Sequence, residues 1–221
     1  CDDFGGRLTG SPADRAAMTR LAEELRALGY EPAWVPFSMP GWERGADTVE
    51  VTAPFVRPLR VAALAYSQAH DAFSAAVVNL GNATEGDYPA DVRGKVGLVD
   101  PSTPLQTAVL ARLAAERGVR ALLFLNREAG GQLLARTGSF VGQALPVPVY
   151  SLAQEEGRWL QRLLERGTPV TVRVETRSRV RPVETHNLVV RLPGRTPETL
   201  VVGAHFDSWD LGQGALDNGL G

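Results

Sequence analysis

The residue types best suited to chemistry are gathered in one short run, GAHFDSWDLGQGALDNGLG, at residues 203–221. His205 and Asp207 stand two apart, and Asp217 lies further along the same glycine-rich stretch. Neutral imidazole and carboxylate oxygens are good zinc donors, at about 2.0–2.2 Å from the ion. A ligating histidine usually gives its other ring N–H to a carboxylate, which fixes ring orientation and tautomer. Asp207 is close enough in sequence to take that role. Gly212, Gly214 and Gly219 allow the loop to fold back, so that Asp217 approaches the same point in space as His205. A carboxylate with both oxygens free can bridge two ions about 3.5–4 Å apart. His205 and Asp217 nevertheless make only two donors, whereas a catalytic zinc takes three protein ligands and a water. On the residues alone, a capped strand end followed by a solvated acidic loop remains the competing reading.

Other patterns carry less. His186 stands in a polar stretch and His70 at the start of a different region, and neither is assigned to metal. Gly212-x-Gly214 is not a dinucleotide fingerprint, because its third glycine is misplaced. An EF-hand loop fails because Trp209 stands where an oxygen ligand is needed. Thr137 and Ser139 read as a polar loop with no base beside them. Trp34 and Trp42 are expected to pack, whereas Trp209 sits inside the candidate metal loop.

The elements that must position these residues are legible from spacing. Ser11 and Pro12 read as N-cap and first helical residue, Met18, Leu21, Ala22, Leu25 and Leu28 form one face, and Gly29 stops a helix over 12–28. The proline-rich run that follows forbids a central strand. Strands are expected at 47–53 and 59–65. Apolar β-rich runs follow at 75–81, 94–100, 120–126 and 145–151, with a helix after Pro104 and another from about 152 to 166, capped by Ser151 and Gln154. Residues 171–175 alternate as a half-buried strand. Residues 176–186 are polar and basic and read as a linker. Residues 187–192 and 199–204, joined by Pro193-Gly194, read as a hairpin whose second strand is covered on both faces. His205 then sits just past a strand end, where ligand sites of open α/β sheets lie.

The chain has 221 residues, enough for one sizeable core or two modest domains, and a net charge of −2 gives no general attraction to nucleic acid or to a membrane surface. Lys95 is the only lysine, so arginine predominates by bias and no single arginine stands out. Cys1 is the one cysteine, which excludes a structural zinc site built on several cysteines. No apolar run approaches the roughly 20 residues needed to span a bilayer.

The run from Gly203 to Gly221 resembles the first metal-binding segment of the co-catalytic di-zinc exopeptidases, a superfamily of aminopeptidases and glutamate carboxypeptidases. HFDSWDLGQGALDNG is most similar to the plasma glutamate carboxypeptidase, or carboxypeptidase Q, branch. DDFGGRLTGSP with its following helix resembles the family's opening, HNLVVRLPGR its strand and turn before the metal segment, and residues 70–175 the protease-associated domain that many members carry. The resemblance implies an α/β fold: part of the zinc-exopeptidase sheet over 1–66 and 177–221, with an inserted α+β protease-associated domain over 67–176. It implies that His205 ligates one of two zinc ions, that Asp217 bridges both, that Asp207 orients His205, and that Asn218 follows a cis peptide. Peptide is the implied substrate, cleaved at a terminus, with neither nucleic acid nor membrane as partner. The family's Glu-Glu pair, which supplies the general base, a further acidic residue and a second histidine lie downstream of the bridging aspartate. The chain is therefore expected to be an N-terminal fragment that holds zinc poorly, is inactive alone and is completed by the remainder of the peptidase domain. A homodimer is left open, and the inserted domain points to a secreted or periplasmic setting without fixing it. The alternative function is a non-catalytic protease-associated interaction module.

Overall fold

The computed structural model, which describes residues 1–219, divides the chain into two compact units: Trp42–Arg181, and Cys1–Gly41 together with the segment from Pro182 onward. The architecture is mixed α/β.

Trp42–Arg181 is built on one eight-stranded sheet. In chain order its strands are β2 (Asp47–Ala53), β3 (Arg57–Pro58), β4 (Val61–Ala63), β5 (His70–Asn79), β6 (Val96–Val99), β7 (Ala121–Leu125), β8 (Val149–Leu152) and β9 (Thr171–Thr176). Their spatial order is β3-β2-β9-β5-β6-β7-β8-β4. The run β5 to β8 is parallel, with Val77 opposite Val96, Leu98 opposite Leu123 and Leu123 opposite Tyr150, and the flanking pairs are antiparallel. Helices α2 (Thr107–Glu116) and α3 (Gln154–Glu165) pack on β7. The short runs VGLV, ALLFL and VYSL are buried at every residue, as parallel strands covered on both faces must be. Leu64, Leu80, Leu110, Leu122, Phe124 and Val149 form the centre of this core. The sheet curls far enough for the carboxylate of Asp47 in β2 to accept the amide of Ala63 in β4, at 3.0 Å. The same carboxylate accepts from Arg44, Thr176 and Ser178, so a buried charge is fully hydrogen-bonded.

The boundaries of this unit differ from those expected. Strands β2 and β4 precede residue 67, yet Val49 pairs with Val174 and Ala62 with Ser151, which ties both into the sheet. The unit therefore opens at Trp42 and closes at Arg181. Composition changes near residue 70, but composition does not register strand pairing. Helix α2 begins at Thr107 rather than Pro104, and the hydroxyl of Thr103 is spent on the carbonyl of Asn82. The expected capping box of α3 does not form. Ser151 stays in β8, where its hydroxyl accepts the amide of Leu134 at 2.7 Å, and Ala153 is the N-cap.

The other unit is thinner. Helix α1 (Pro12–Ala27) starts as the spacing predicts, with Ser11 Oγ accepting the amide of Asp14 at 3.1 Å. Its buried face is Ala17, Met18 and Ala22, while Leu28 is 72 % exposed. Strands β1 (Ala33–Glu43) and β10 (Arg179–Val189) form a two-stranded ribbon among the described residues, and Pro36 and Pro40 fall in an edge strand, where proline is tolerated. The stretch read as a linker over 176–186 is thus largely strand, its basic residues Arg179 and Arg181 paired with Glu43. Gly10 and Gly41 lie so close to Val183 that a Cβ on either would come within 2.8 Å of its side chain.

The expected hairpin of 187–192 with 199–204 is absent. Residues 187–189 finish β10, and 199–204 pair with no strand among the described residues. Leu200, Val201 and Val202 are at least 84 % exposed. The apolar pattern of a buried strand is present without the neighbouring strands that such a pattern requires. Among the described residues, no helix is long and apolar enough to cross a membrane.

Candidate metal centre

The segment that carries the candidate donors is organised by the first residues of the sequence. Arg7 is only 4 % exposed. Its guanidinium donates to the carbonyl of Phe206 at 3.1 Å, of Gln213 at 3.1 Å and of Gly214 at 2.9 Å. The Arg7 amide donates to Ser208 Oγ at 2.9 Å, and the Ser208 amide returns to the Arg7 carbonyl at 3.0 Å. The loop between His205 and Asp217 is thereby folded back on itself. Gly214 makes this possible. Its φ is +63°, and a Cβ there would lie 2.3 Å from the Ser208 side chain. The amide of Gly219 closes the turn on the Gly214 carbonyl at 2.9 Å, and the peptide between Asp217 and Asn218 is cis.

The three residues singled out by spacing come together. His205 Nε2 is 2.9 Å from Asp217 Oδ1. On the other side of the ring, Nδ1 is 3.1 Å from the Asp207 carbonyl and 3.2 Å from its Oδ1. Asp207 is held in turn by Thr9, whose Oγ1 donates to Oδ2 at 3.0 Å. With Nδ1 donating to Asp207, Nε2 of a neutral ring presents a lone pair to a carboxylate oxygen. That approach is favourable only when a proton or a cation lies between them. Desolvation opposes charge on the ring, but the hydrogen bonds and charge of Asp207, with the charge of Asp217, hold the His205 pKa above the ordinary histidine value.

The same geometry lies close to that of a metal ion's donors. Two donors each about 2.1 Å from one ion stand about 3.0 Å apart at a right angle and about 3.4 Å apart at the tetrahedral angle, so the observed 2.9 Å is a hydrogen-bonded approach that would have to open by a few tenths of an ångström to take the ion. Imidazole nitrogen and carboxylate oxygen are a suitable pair for zinc, and Asp207 occupies the outer position that fixes the tautomer. The donor set is incomplete: among the described residues, no three His, Cys, Asp or Glu side chains gather to hold an ion. The three side chains are open to solvent, and a cavity of about 570 Å³ beside them is lined by Phe4, Arg7, Leu21, Phe206 and Asn218.

The remaining residues weighed from sequence go elsewhere. His186 in β10 meets Trp34 edge to face at 5.4 Å, and lines a cavity of about 230 Å³ with Asp14, His205 and Asp207. His70 lies in the other unit, with Nε2 3.0 Å from the Tyr150 hydroxyl. Thr137 Oγ1 donates to the Ser139 carbonyl, as a polar loop would. Trp42 is buried and donates Nε1 to the Ser67 carbonyl at 3.0 Å. Arg7, Thr9 and Ser208 were not visible as site residues. They act across about two hundred positions, and an arginine in a chain rich in arginine gives no local signal.

Residues 187–221 match the model of Peptidase family M28. The chain is 30 % identical over 99 % of its length to a probable leucine aminopeptidase 2 of Aspergillus fumigatus, covering 42 % of that protein. It is 27 % identical over its whole length to carboxypeptidase Q of Bos taurus, covering 50 % of it. The fold superimposes on a zinc aminopeptidase from Bacillus subtilis with a TM-score of 0.77 at 21 % identity, covering 98 % of this chain and 51 % of that one. The similarity to an aminopeptidase and to carboxypeptidase Q runs along the whole chain, which spans about half the length of the curated relatives it matches.

Proposed function

We propose that this chain supplies one half of a two-zinc centre in an exopeptidase that hydrolyses terminal peptide bonds. The observation that carries the reading is the approach of His205 Nε2 and Asp217 Oδ1 to 2.9 Å, within the segment that matches the peptidase family. His205 would hold one zinc through Nε2, Asp217 would offer one oxygen to each of two ions, and Asp207 would keep Nδ1 protonated and the ring in place. Bound zinc would supply Lewis acidity toward the scissile carbonyl and the attacking water. The general base and the remaining ligands are proposed to come from outside residues 1–221, since two donors fall short of a catalytic set. One relative is named as an aminopeptidase and another as a carboxypeptidase, so terminal cleavage is the activity common to both names.

Trp42–Arg181 would act without chemistry of its own, as a protease-associated domain that contributes to substrate choice. The order of elements supports that assignment, as does the bonding of Thr137 and Ser139 to one another rather than to a base.

Zinc titration of the 221-residue chain by calorimetry tests the proposal. Binding weaker than micromolar is expected, lost in His205→Ala, with no hydrolysis of leucine p-nitroanilide or of dipeptides. Tight binding of two zinc ions would overturn the half-centre. Zinc uptake at millimolar concentration that His205→Ala leaves unchanged would leave only a non-catalytic interaction module.

A further inference from the structure

We infer that Arg7 and Thr9, in the N-terminal stretch GGRLT, are positioning residues of the metal centre, setting the separation of His205 from Asp217 and the orientation of Asp207. The inference rests on the zinc reading of those residues.

One guanidinium holds the two ends of the metal segment. It bonds the carbonyl of Phe206, the residue after His205, and the carbonyls of Gln213 and Gly214, in the turn that leads to Asp217. These three carbonyls have their negative ends on a single buried cation, and the planar fork of arginine lets one group serve acceptors on both sides of the loop. The backbone exchange between Arg7 and Ser208 fixes where that fork sits. Lysine would keep the charge, but as a point charge it could not span both ends. Thr9 acts on the other axis. Its hydroxyl bonds Oδ2 of Asp207, leaving Oδ1 for the Nδ1–H of His205, so a relay of Thr9, Asp207 and His205 points Nε2 at Asp217. Outer partners of metal ligands, when removed, commonly cost about 10–100-fold in metal affinity.

The test compares Arg7→Lys, Thr9→Val and Thr9→Ser with the unaltered 221-residue chain. Zinc affinity is read by titration, the d–d spectrum of bound Co(II) reports coordination geometry, and amide exchange over 204–219 is followed without metal. Thr9→Val should weaken zinc about 10-fold and shift the cobalt spectrum, and Thr9→Ser should restore both, which a purely packing role would not require. Arg7→Lys should weaken zinc about 10–100-fold and, in the metal-free chain, raise exchange at Ser208 and Gly219 while leaving Trp42–Arg181 unchanged. Unaltered affinity and spectrum in both Arg7→Lys and Thr9→Val would overturn the inference. If the unaltered chain itself takes up no zinc, the metal reading fails and the positioning of a metal centre fails with it; exchange then distinguishes the two failures, since loss of protection over 204–219 in Arg7→Lys would still show that Arg7 holds the loop, and unchanged protection would show that it does not.

Discussion

In Trp42–Arg181, three successive strand runs are buried at every residue and close on a core of leucine, valine and phenylalanine. In the other unit, α1 buries little beyond Ala17, Met18 and Ala22, and an apolar run at 200–202 lies open to solvent. What holds that second unit is polar: Arg7 on three carbonyls, Ser208 on Arg7, Asp14 on Gly10 and Thr185. The contrast matters for function. A packed core makes one rigid body whatever its surface does. A loop tethered by hydrogen bonds can hold candidate donors while leaving them accessible, its stability resting on a few bonds to charged groups, each about 1.5–3 kcal/mol net, rather than on a packed core.

The largest expected effect lies in the packed unit. Leu122 is fully buried in β7, within the core formed with Leu110 and Val149. Leu122→Ala should cost about 2–5 kcal/mol, the combined loss of transfer energy and of the cavity left behind. Chemical denaturation followed by far-UV circular dichroism would read it. A cost under 1 kcal/mol would mean that this core is loose and would erase the contrast between the two units.

What sequence made legible follows the same division. In the packed unit, β5 to β8, α3 and the alternation of β9 all fall within a few residues of their expected places, because hydrophobic period and turn residues are local signals. Its outer limit was not legible, because β2 and β4 join through pairings more than eighty residues away, such as Ala62 with Ser151. In the tethered unit the helix was legible and the strands were not. Residues 176–186 are polar and read as a linker, yet from Arg179 onward they lie in β10 and pair with β1, continuous with the start of the strand expected at 187–192. Residues 199–204 are apolar and read as a strand, yet among the described residues they pair with none. Of the candidate site, the approach of His205 to Asp207 and Asp217 was legible, because imidazole and carboxylate are residue types suited to metal and the glycines between them let the loop fold back. Arg7 and Thr9 were not, because their roles exist only once the two ends of the chain meet.

Asp14 offers a smaller effect within the tethered unit. Burial pushes its carboxyl up from the ordinary value, against the hydrogen bonds from Gly10 and Thr185 that favour the charged form, and the nearby charge of Asp207 adds to the rise. The folded chain therefore holds this proton more firmly than the unfolded chain. Its contribution to stability is complete below the unfolded pKa, near 3.8, and is lost as pH rises through the raised folded value. Asp14→Asn keeps an acceptor for Gly10 but removes the titration. The stability of wild type relative to Asp14→Asn should be greatest in acid and fall as pH rises above about 4. Denaturant titrations of both proteins at several pH values between about 3 and 7 would read the difference. A difference that grows with pH would mean that Asp14 is held by its hydrogen bonds as an ion.

The smallest expected effect is the most pointed. Val201 sits in a run whose composition is that of a strand interior, and it is 84 % exposed. Val201→Thr keeps the shape and β-branching and exchanges a methyl for a hydroxyl. At a buried strand position that exchange would strand a polar group and cost on the order of 1–3 kcal/mol. At an open surface it should stay within about 0.5 kcal/mol. The same denaturation experiment separates the two. A value near zero means that 199–204 adds nothing to the fold of this chain, and that the donors at 205–217 are placed by Arg7, Thr9 and Ser208 rather than by the strand that precedes them. A cost above 1 kcal/mol would return the work of positioning His205 to a buried strand, and would make the second unit another packed body instead of a tethered one.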